Sequence, residues 1–280
     1  MKSSPPDDDA LFAPFLALGP LRVWSVIITI FGDSVGPRGG TVPASALAEI
    51  GGRIGIGHAA LRVALHRLTR DGWLSRDRRG RRSYYALSPR GTDEFGPATR
   101  RIYAPAPALS GPWTLAVTDP GLSHPEREAA ETALKKAGYL PAGASLWLGP
   151  GGCGPAPGEV FTIEGTPGRV PGWLAGALTP PDLARDYADL FAALETTRAA
   201  LQGTDPGPLD AIALRTLIVH RWRRLLLRHA DLPSVFLPEG WRGEDCRALV
   251  LDLHAALRPA AEAWLDQAFE GAAAGTSARK

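Results

Sequence analysis

Three observations on the 280-residue sequence predict an α+β fold class. A helix-period stripe from Gly52 runs into an arginine-rich hairpin that ends near Leu87. After Trp113 the pattern changes to strand, helix, strand, strand. From Thr179 onward, apolar residues recur at helical spacing. With 45% hydrophobic and 21% charged residues the composition is that of an ordinary globular protein, long enough for two or three domains with cores of their own. The expected division is a disordered tail over 1–18, a winged helix-turn-helix domain over 19–104 and a linker over 105–112. An α+β domain over 113–176, a helical C-terminal domain over 177–270 and a disordered tail over 271–280 complete it.

The N-terminal SSPPDDD segment is polar and acidic and carries no recognisable chemistry. Leu21 to Phe31 is apolar and β-branched, which would allow a strand. Its place ahead of two helices predicts instead a buried first helix ending at Gly32. After the SVGPRGG loop, Pro43 to Ile50 should form a short second helix closed by Gly51 and Gly52. Arg38 in that loop either approaches a nucleic-acid backbone or belongs to a plain turn.

The helix that follows carries the clearest signal. On a 100° wheel Leu61, Ala64, Leu65 and Leu68 share one face. Ala59, Val63, His66 and Arg70 lie opposite, with Arg62 and Arg67 on the flanks and no acid before Asp71. A solvated face normally mixes both signs of charge. Gly72 stops the helix, and Trp73-Leu74 and Ser83 to Leu87 read as strands around RDRRGRR, with Gly80 in the turn. From Arg53 to Arg90 there are ten Arg and two Asp, a net +8, whereas the whole chain carries +2 and the remainder therefore −6. Of 31 basic residues 27 are Arg, suited to bidentate contacts. The expected partner is double-stranded DNA. His58, Arg62, Val63, His66, Arg67 and Arg70 are the groove-facing candidates, and Arg76, Arg78, Arg79, Arg81 and Arg82 those of the hairpin.

Arg90 to Tyr103 should close this domain as a helix before the proline-rich YAPAPALSGP. Strands are expected over 113–119, SLWLGP and 159–164, with a helix from His124 to Ala137 opened by the capping-box pair Ser123 and Glu126. That order suits a ferredoxin-like α+β half. Beyond Thr179 and Pro180 come three helices, DLARDYADLFAALETTRAAL, Leu209 to His229 and Glu244 to Phe269, the last interrupted by Pro259.

IITIFGDSVGPRGGTV, GIGHAALRVALHRLTRDGWL and GRRSYYALSPRG, followed later by RTLIVHRWRRLLLRHADLPSVFLPEGWRG, resemble the two ends of the PaaX-like family of phenylacetic-acid-degradation regulators. The resemblance implies a Cas2-like central domain. It also implies a one-component transcriptional repressor of an aromatic or organic acid catabolic operon, released by an acyl-CoA or aryl-CoA thioester such as phenylacetyl-CoA.

On the wheel of Leu209 to His229, Arg221 falls amid Leu217, Ile218, Trp222 and Leu225. Such an arginine needs an anion. Two anions fit: a carboxylate such as Asp186 or Asp189, or the phosphates of a CoA thioester met by His220, Arg221, Trp222, Arg223, Arg224 and Arg228 at the junction of the central and C-terminal domains. A homodimer on a pseudo-palindromic operator is expected; the sequence does not fix which surface dimerises, and the helical C-terminal domain with its long apolar stripes is the better candidate. No catalytic constellation, metal site or cofactor motif is recognisable. The weighed alternative is a metal-dependent nuclease using Asp119, against a plain DPG turn. Cys153 and Cys246 lack metal or disulfide spacing, GPGGCGPAPG lacks a P-loop ending, and Val23 to Phe31 is too short to span a bilayer. A cytoplasmic location is expected.

Overall fold

The structure is a computed structural model that describes residues 9–104, 112–151, 153–166, 168–179, 181–229, 232 and 236–277. The linker expected over 105–112 therefore lies almost wholly outside the described residues, as does Pro180. The protein is α+β, with helices and two antiparallel sheets. Two compact units divide it. One comprises Met1–Ala104, Asp189–Arg224 and Gly243–Lys280, and the other Pro105–Ala188 and Leu225–Arg242. The units cut across the serial division expected from the sequence, because the C-terminal helices pack with the N-terminal body.

In the first unit, α1 spans Asp9–Ala17, inside the segment expected to be a disordered tail. Leu11, Phe12 and Phe15 sit on one side of its turns and are all buried, which is enough apolar area to hold the helix against the core. Helix α2, Val23–Ile30, does not stop at Gly32. It widens into a π-helical turn over Phe31–Val35 and then a 3₁₀ turn over Gly36–Arg38. Helix α3, Ala44–Arg53, likewise runs through Gly51 and Gly52 and ends where Gly55 takes φ +81°. Helix α4, His58–Arg70, is closed by Gly72 at φ +77°. Strands β1 (Thr41–Pro43), β2 (Leu74–Arg79) and β3 (Arg82–Leu87) form a sheet in the order β1-β3-β2. Helix α5, Pro89–Tyr103, begins under it, and a Cβ at Gly91 would come within 2.4 Å of the Trp73 carbonyl oxygen, so only glycine fits.

Helix α9, Pro208–Leu226, is the axis of this unit, with every residue from Ala211 to Trp222 buried. A helix buried all round must bond its own polar side chains internally. Arg215 does so through Nε to Asp33 Oδ2 at 2.8 Å, Nη2 to Ser34 Oγ at 3.0 Å and Nη1 to Glu262 Oε1 at 2.8 Å. Helix α10, Gly243–Ser277, supplies Glu262 and also His254, whose Nε2 lies 3.0 Å from Asp33 Oδ1. The Tyr103 hydroxyl donates to the same oxygen. Helix α10 passes through Pro259 without the expected interruption, and its backbone continues to Ser277 where a disordered tail was expected.

In the second unit, β4 (Trp113–Thr118), α6 (His124–Lys136), β5 (Leu140–Pro141), β6 (Leu146–Gly149) and β7 (Val160–Gly165) form a sheet in the order β5-β6-β4-β7. The capping box is made, with Ser123 N–H donating to Glu126 Oε2 at 2.9 Å. Leu134 of α6 packs on Ala116 and Trp147 on one face. On the other face Trp113, Leu148 and Phe236 meet Leu178 of α7, Gly172–Leu178. Helix α8, Pro181–Leu201, contributes its first residues to this unit.

Burial alone would raise the Asp33 carboxyl, yet the His254 hydrogen bond, the Arg215 charge and the Tyr103 hydroxyl together bring it down to about 2. A folded pKa below the unfolded value contributes stability above about pH 4 that is lost as pH falls toward about 2. Asp33→Asn should flatten this acid limb in denaturant titrations repeated across pH. Arg215→Met, which strands a buried carboxylate, should cost about 3–5 kcal/mol in the same measurement. An acid limb unchanged in Asp33→Asn would place the acid lability elsewhere.

Candidate nucleic-acid interface

The buried stripe of α4 is Leu61, Ala64, Leu65 and Leu68, as the wheel predicts. His58, Arg62, Val63, His66, Arg67 and Arg70 consequently face solvent, and Val63 is 67% exposed despite its apolar side chain. One groove is lined by Ala44 and Ala48 of α3, by His58, Arg62, His66 and Arg70 of α4, and by Arg76 and Ser83 of the hairpin. The helix and the hairpin thus present one continuous basic concavity. At its end Asp71 accepts Arg70 Nη2 at 3.0 Å and lies 3.5 Å from Arg67 Nε. These bonds, that from Arg70 first, hold the Asp71 carboxyl below its ordinary value.

In the hairpin, Arg79 pairs with Arg82, so Gly80 and Arg81 are the two turn residues. Gly80 has φ +60° and among the described residues no non-glycine residue has positive φ, the pattern of a type II′ turn. Arg76 donates to Ser83 Oγ across the strands at 2.8 and 3.2 Å. Arg79 bonds Asp77 Oδ2 at 2.7 Å and lies 4.7 Å over the Tyr84 ring, and Arg78 Nε reaches the Gly80 carbonyl at 3.4 Å. Residues from Arg76 to Arg82 are all exposed. The arrangement is two rigid elements, one helix face and one hairpin tip, each rich in guanidinium groups able to meet phosphates or base edges.

Arg38 has a different place. Its guanidinium donates to Glu262 and Asp266 of α10 and lies 5.9 Å from the Phe269 ring centre, so its charge is used inside the unit. It is neither a plain turn residue nor a free contact for DNA.

Most of the residues expected around an effector also make internal bonds. His220 Nδ1 lies 3.1 Å from Thr29 Oγ1, and burial, followed by the charges of Arg223, Arg221 and Arg224, pushes its pKa down to about 3. Arg221 donates to the Leu18 and Gly19 carbonyls at 3.3 and 2.5 Å rather than to an acid or a ligand, and burial with Arg224 lowers it to about 10. Trp222 Nε1 donates to the Ile102 carbonyl at 3.1 Å. Arg223 Nη1 donates to the Ser25 carbonyl at 3.0 Å and Thr29 Oγ1 at 3.1 Å. Arg224 is half-buried. Arg228 belongs to the other unit, where it makes the carboxylate pairing anticipated for Arg221, with Asp182 at 2.8 Å and with Asp186. His220, Arg221, Trp222 and Arg223 are thus bonded within the first unit, and Arg228 within the second. Asp119 Oδ1 accepts the Gly121 N–H at 2.7 Å, which makes it the turn residue of DPG.

What sequence reasoning missed is the cluster of Asp33, Tyr103, Arg215, His254 and Glu262. Arg215 carried the available signal, since it shares the apolar wheel of α9 as fully as Arg221 does.

Comparison with known proteins resolves the family. The model described as PaaX-like protein matches residues 22–91, and that of the PaaX-like protein C-terminal domain matches 180–267. The chain belongs to the PaaX-like family. The transcriptional repressor PaaX of Escherichia coli K12 is 29% identical over 274 residues, covering 90% of this chain and 85% of its own. An uncharacterized protein of Mycobacterium tuberculosis, Rv0674, superposes with a TM-score of 0.54 at 24% identity, over 85% of this chain and 97% of that one, and so shares the fold. Among the described residues no helix is long and apolar enough to cross a membrane.

The VHRWRR turn that marks the C-terminal half of this PaaX-like chain is, by its bonds, a packing device. Arg221→Gln should lower stability by about 1–3 kcal/mol through loss of two carbonyl partners. Arg228→Gln, on the surface, should cost less than about 1 kcal/mol. Chemical unfolding of the two variants checks the order, and a larger loss for Arg228→Gln would contradict this assignment.

Proposed function

We propose that this PaaX-like protein is a DNA-binding transcriptional repressor and that α3, α4 and the β2–β3 hairpin act as a winged helix-turn-helix. The observation that carries the reading is the groove in which the exposed face of α4 and the arginine hairpin meet. Its kinship with a protein named as a transcriptional repressor supports the same reading. In it, Arg62, His66, Arg67 and Arg70 enter the major groove with Val63 against a thymine methyl, while Arg78, Arg81 and Arg82 grip phosphates beside it. The β5-β6-β4-β7 order of the second unit supports reading it as a ferredoxin-like, Cas2-like domain. The protein works as a homodimer on a pseudo-palindromic operator of an aromatic or organic acid catabolic operon. An acyl-CoA or aryl-CoA thioester releases it by binding the DNA-free state more tightly. Arg221 and Arg223 of α9 are committed to internal bonds, which argues against that turn as the effector's site.

Selection from random duplexes followed by gel-shift titration tests the reading. Arg62→Ala should cost about 1–3 kcal/mol and relax preference at one base pair, whereas Arg81→Ala and Arg82→Ala should weaken all sequences alike and make the salt slope shallower by about one per lost phosphate contact. Affinity unchanged in Arg62→Ala and His66→Ala together would remove α4 from the interface.

A further inference from the structure

At the end of the basic groove stands an acid, Asp71, the C-cap of α4. It is half-buried beside Arg67 and Arg70, which are both exposed. Asp71 Oδ1 accepts from Arg70 Nε at 3.1 Å and from Arg70 Nη2 at 3.0 Å, while Oδ2 lies 3.5 Å from Arg67 Nε. The backbone beneath the carboxylate is fixed on both sides. Asp71 N–H donates to the Arg67 carbonyl at 2.8 Å and Trp73 N–H to the Leu68 carbonyl at 2.9 Å. Arg90, stacked 4.9 Å over the Trp73 ring, donates to the Asp71 carbonyl at 3.2 Å. Helix stability gives no reason for an acid here, because a carboxylate at the C-terminal end of a helix opposes the macrodipole and ion pairs with exposed groups contribute little. On a surface that meets a polyanion it also repels the ligand.

What the carboxylate supplies is orientation. A guanidinium offers donors along its planar edges, each suited to a two-armed acceptor. Asp71 Oδ1 occupies the edge of Arg70 made by Nε and Nη2, and the planarity of the group then turns the edge made by Nη1 and Nη2 away from the carboxylate. Arg62, His66 and Arg70 follow one another at four-residue spacing along the side of α4 that lines the groove. A two-armed donor held there matches the O6 and N7 of guanine, the one base whose major-groove edge presents two acceptors side by side. We propose that Asp71 is a positioning residue that locks Arg70 to read a guanine of the operator. The carboxylate weakens attraction to phosphates of any sequence and fixes the donors for one base, so it raises discrimination at the expense of affinity. The inference rests on the DNA-binding reading above and adds to it the base that Arg70 selects.

Selection from random duplexes and gel-shift titration across salt, with the full-length protein, test it. Asp71→Asn should lower the preference for guanine at one position by about ten-fold, within the range of one bidentate base contact. The same variant should bind a duplex without the site more tightly, with a salt slope steeper by about one, because one negative charge is gone from the surface. Arg70→Lys keeps the charge but not the two-armed edge, and should lose the same guanine preference at an unchanged salt slope. Arg67→Ala should keep that preference. Helical circular dichroism checks folding, and Asp71→Ser takes the place of Asp71→Asn if the latter does not fold. Guanine preference intact in Asp71→Asn or in Arg70→Lys overturns the inference, as does an equal weakening of all sequences in Arg70→Lys, which would put Arg70 on a phosphate. In those cases a loss of operator affinity in Arg62→Ala and His66→Ala leaves the DNA-binding reading standing, whereas affinity unchanged in that pair removes both.

Discussion

The fold depends on keeping one carboxylate, that of Asp33, buried and charged. Moving such a group out of water costs several kcal/mol, and the cost is met only if its lone pairs are all occupied and a cation stands close. Asp33 receives Arg215 Nε and Ser34 Oγ on one oxygen, and Tyr103 and His254 on the other. These donors come from the π-helical turn, α5, α9 and α10, so the carboxylate ties together four segments far apart in sequence. The Tyr103 hydroxyl is raised by burial and by the Asp33 charge and remains a donor. The π-helical turn has its reason here, since the wider turn after α2 places Asp33 and Ser34 side by side against Arg215.

Around that centre the other bonds run in the same direction, from the C-terminal helices into the N-terminal body. Arg53 at the end of α3 pairs with Asp210 and stacks 4.2 Å over Phe12 of α1. Arg38 joins Glu262 and Asp266, and Arg247 of α10 donates to the Ala104 carbonyl at 2.8 Å. The region that carries α4 is thus not an independent module attached by a linker. Its inner surface is completed by α9 and α10, which lie in the second of the two segments matched to the family, 22–91 and 180–267.

Local structure was legible in the sequence, and long-range pairing was not. The stripe of α4, the Gly72 stop, the Gly80 turn, the Ser123–Glu126 box and three of the four strands of the second sheet each follow from residues within a few positions of one another, whereas the two-residue β5 does not. The basic face followed too, because excluding acids from a helix surface leaves a mark in composition alone. Errors arose where a distant partner overrode a local preference. Gly32, Gly51 and Gly52 looked like helix stops, but packing carries the helical backbone through them. The segment after SSPPDDD looked like a tail because Leu11, Phe12 and Phe15 have no core of their own without the rest of the unit. Arg221 was read as needing an acid or a ligand, whereas unsatisfied backbone carbonyls at Leu18 and Gly19 serve as acceptors, and those are invisible to a helical wheel.

The partition of charge links this internal framework to the outer surface. Arg38, Arg53, Arg215 and Arg228 are each matched by carboxylates at Glu262, Asp266, Asp210, Asp33, Asp182 or Asp186, so these cations contribute little field beyond the protein. Over α4 and the hairpin only Asp71 and Asp77 oppose the run of arginines, and both are taken up by Arg67, Arg70 and Arg79. A chain of net charge +2 can therefore hold a strongly positive groove. Several of its acids are held by arginines away from that groove, and the arginines of α4 and the hairpin face only two acids there.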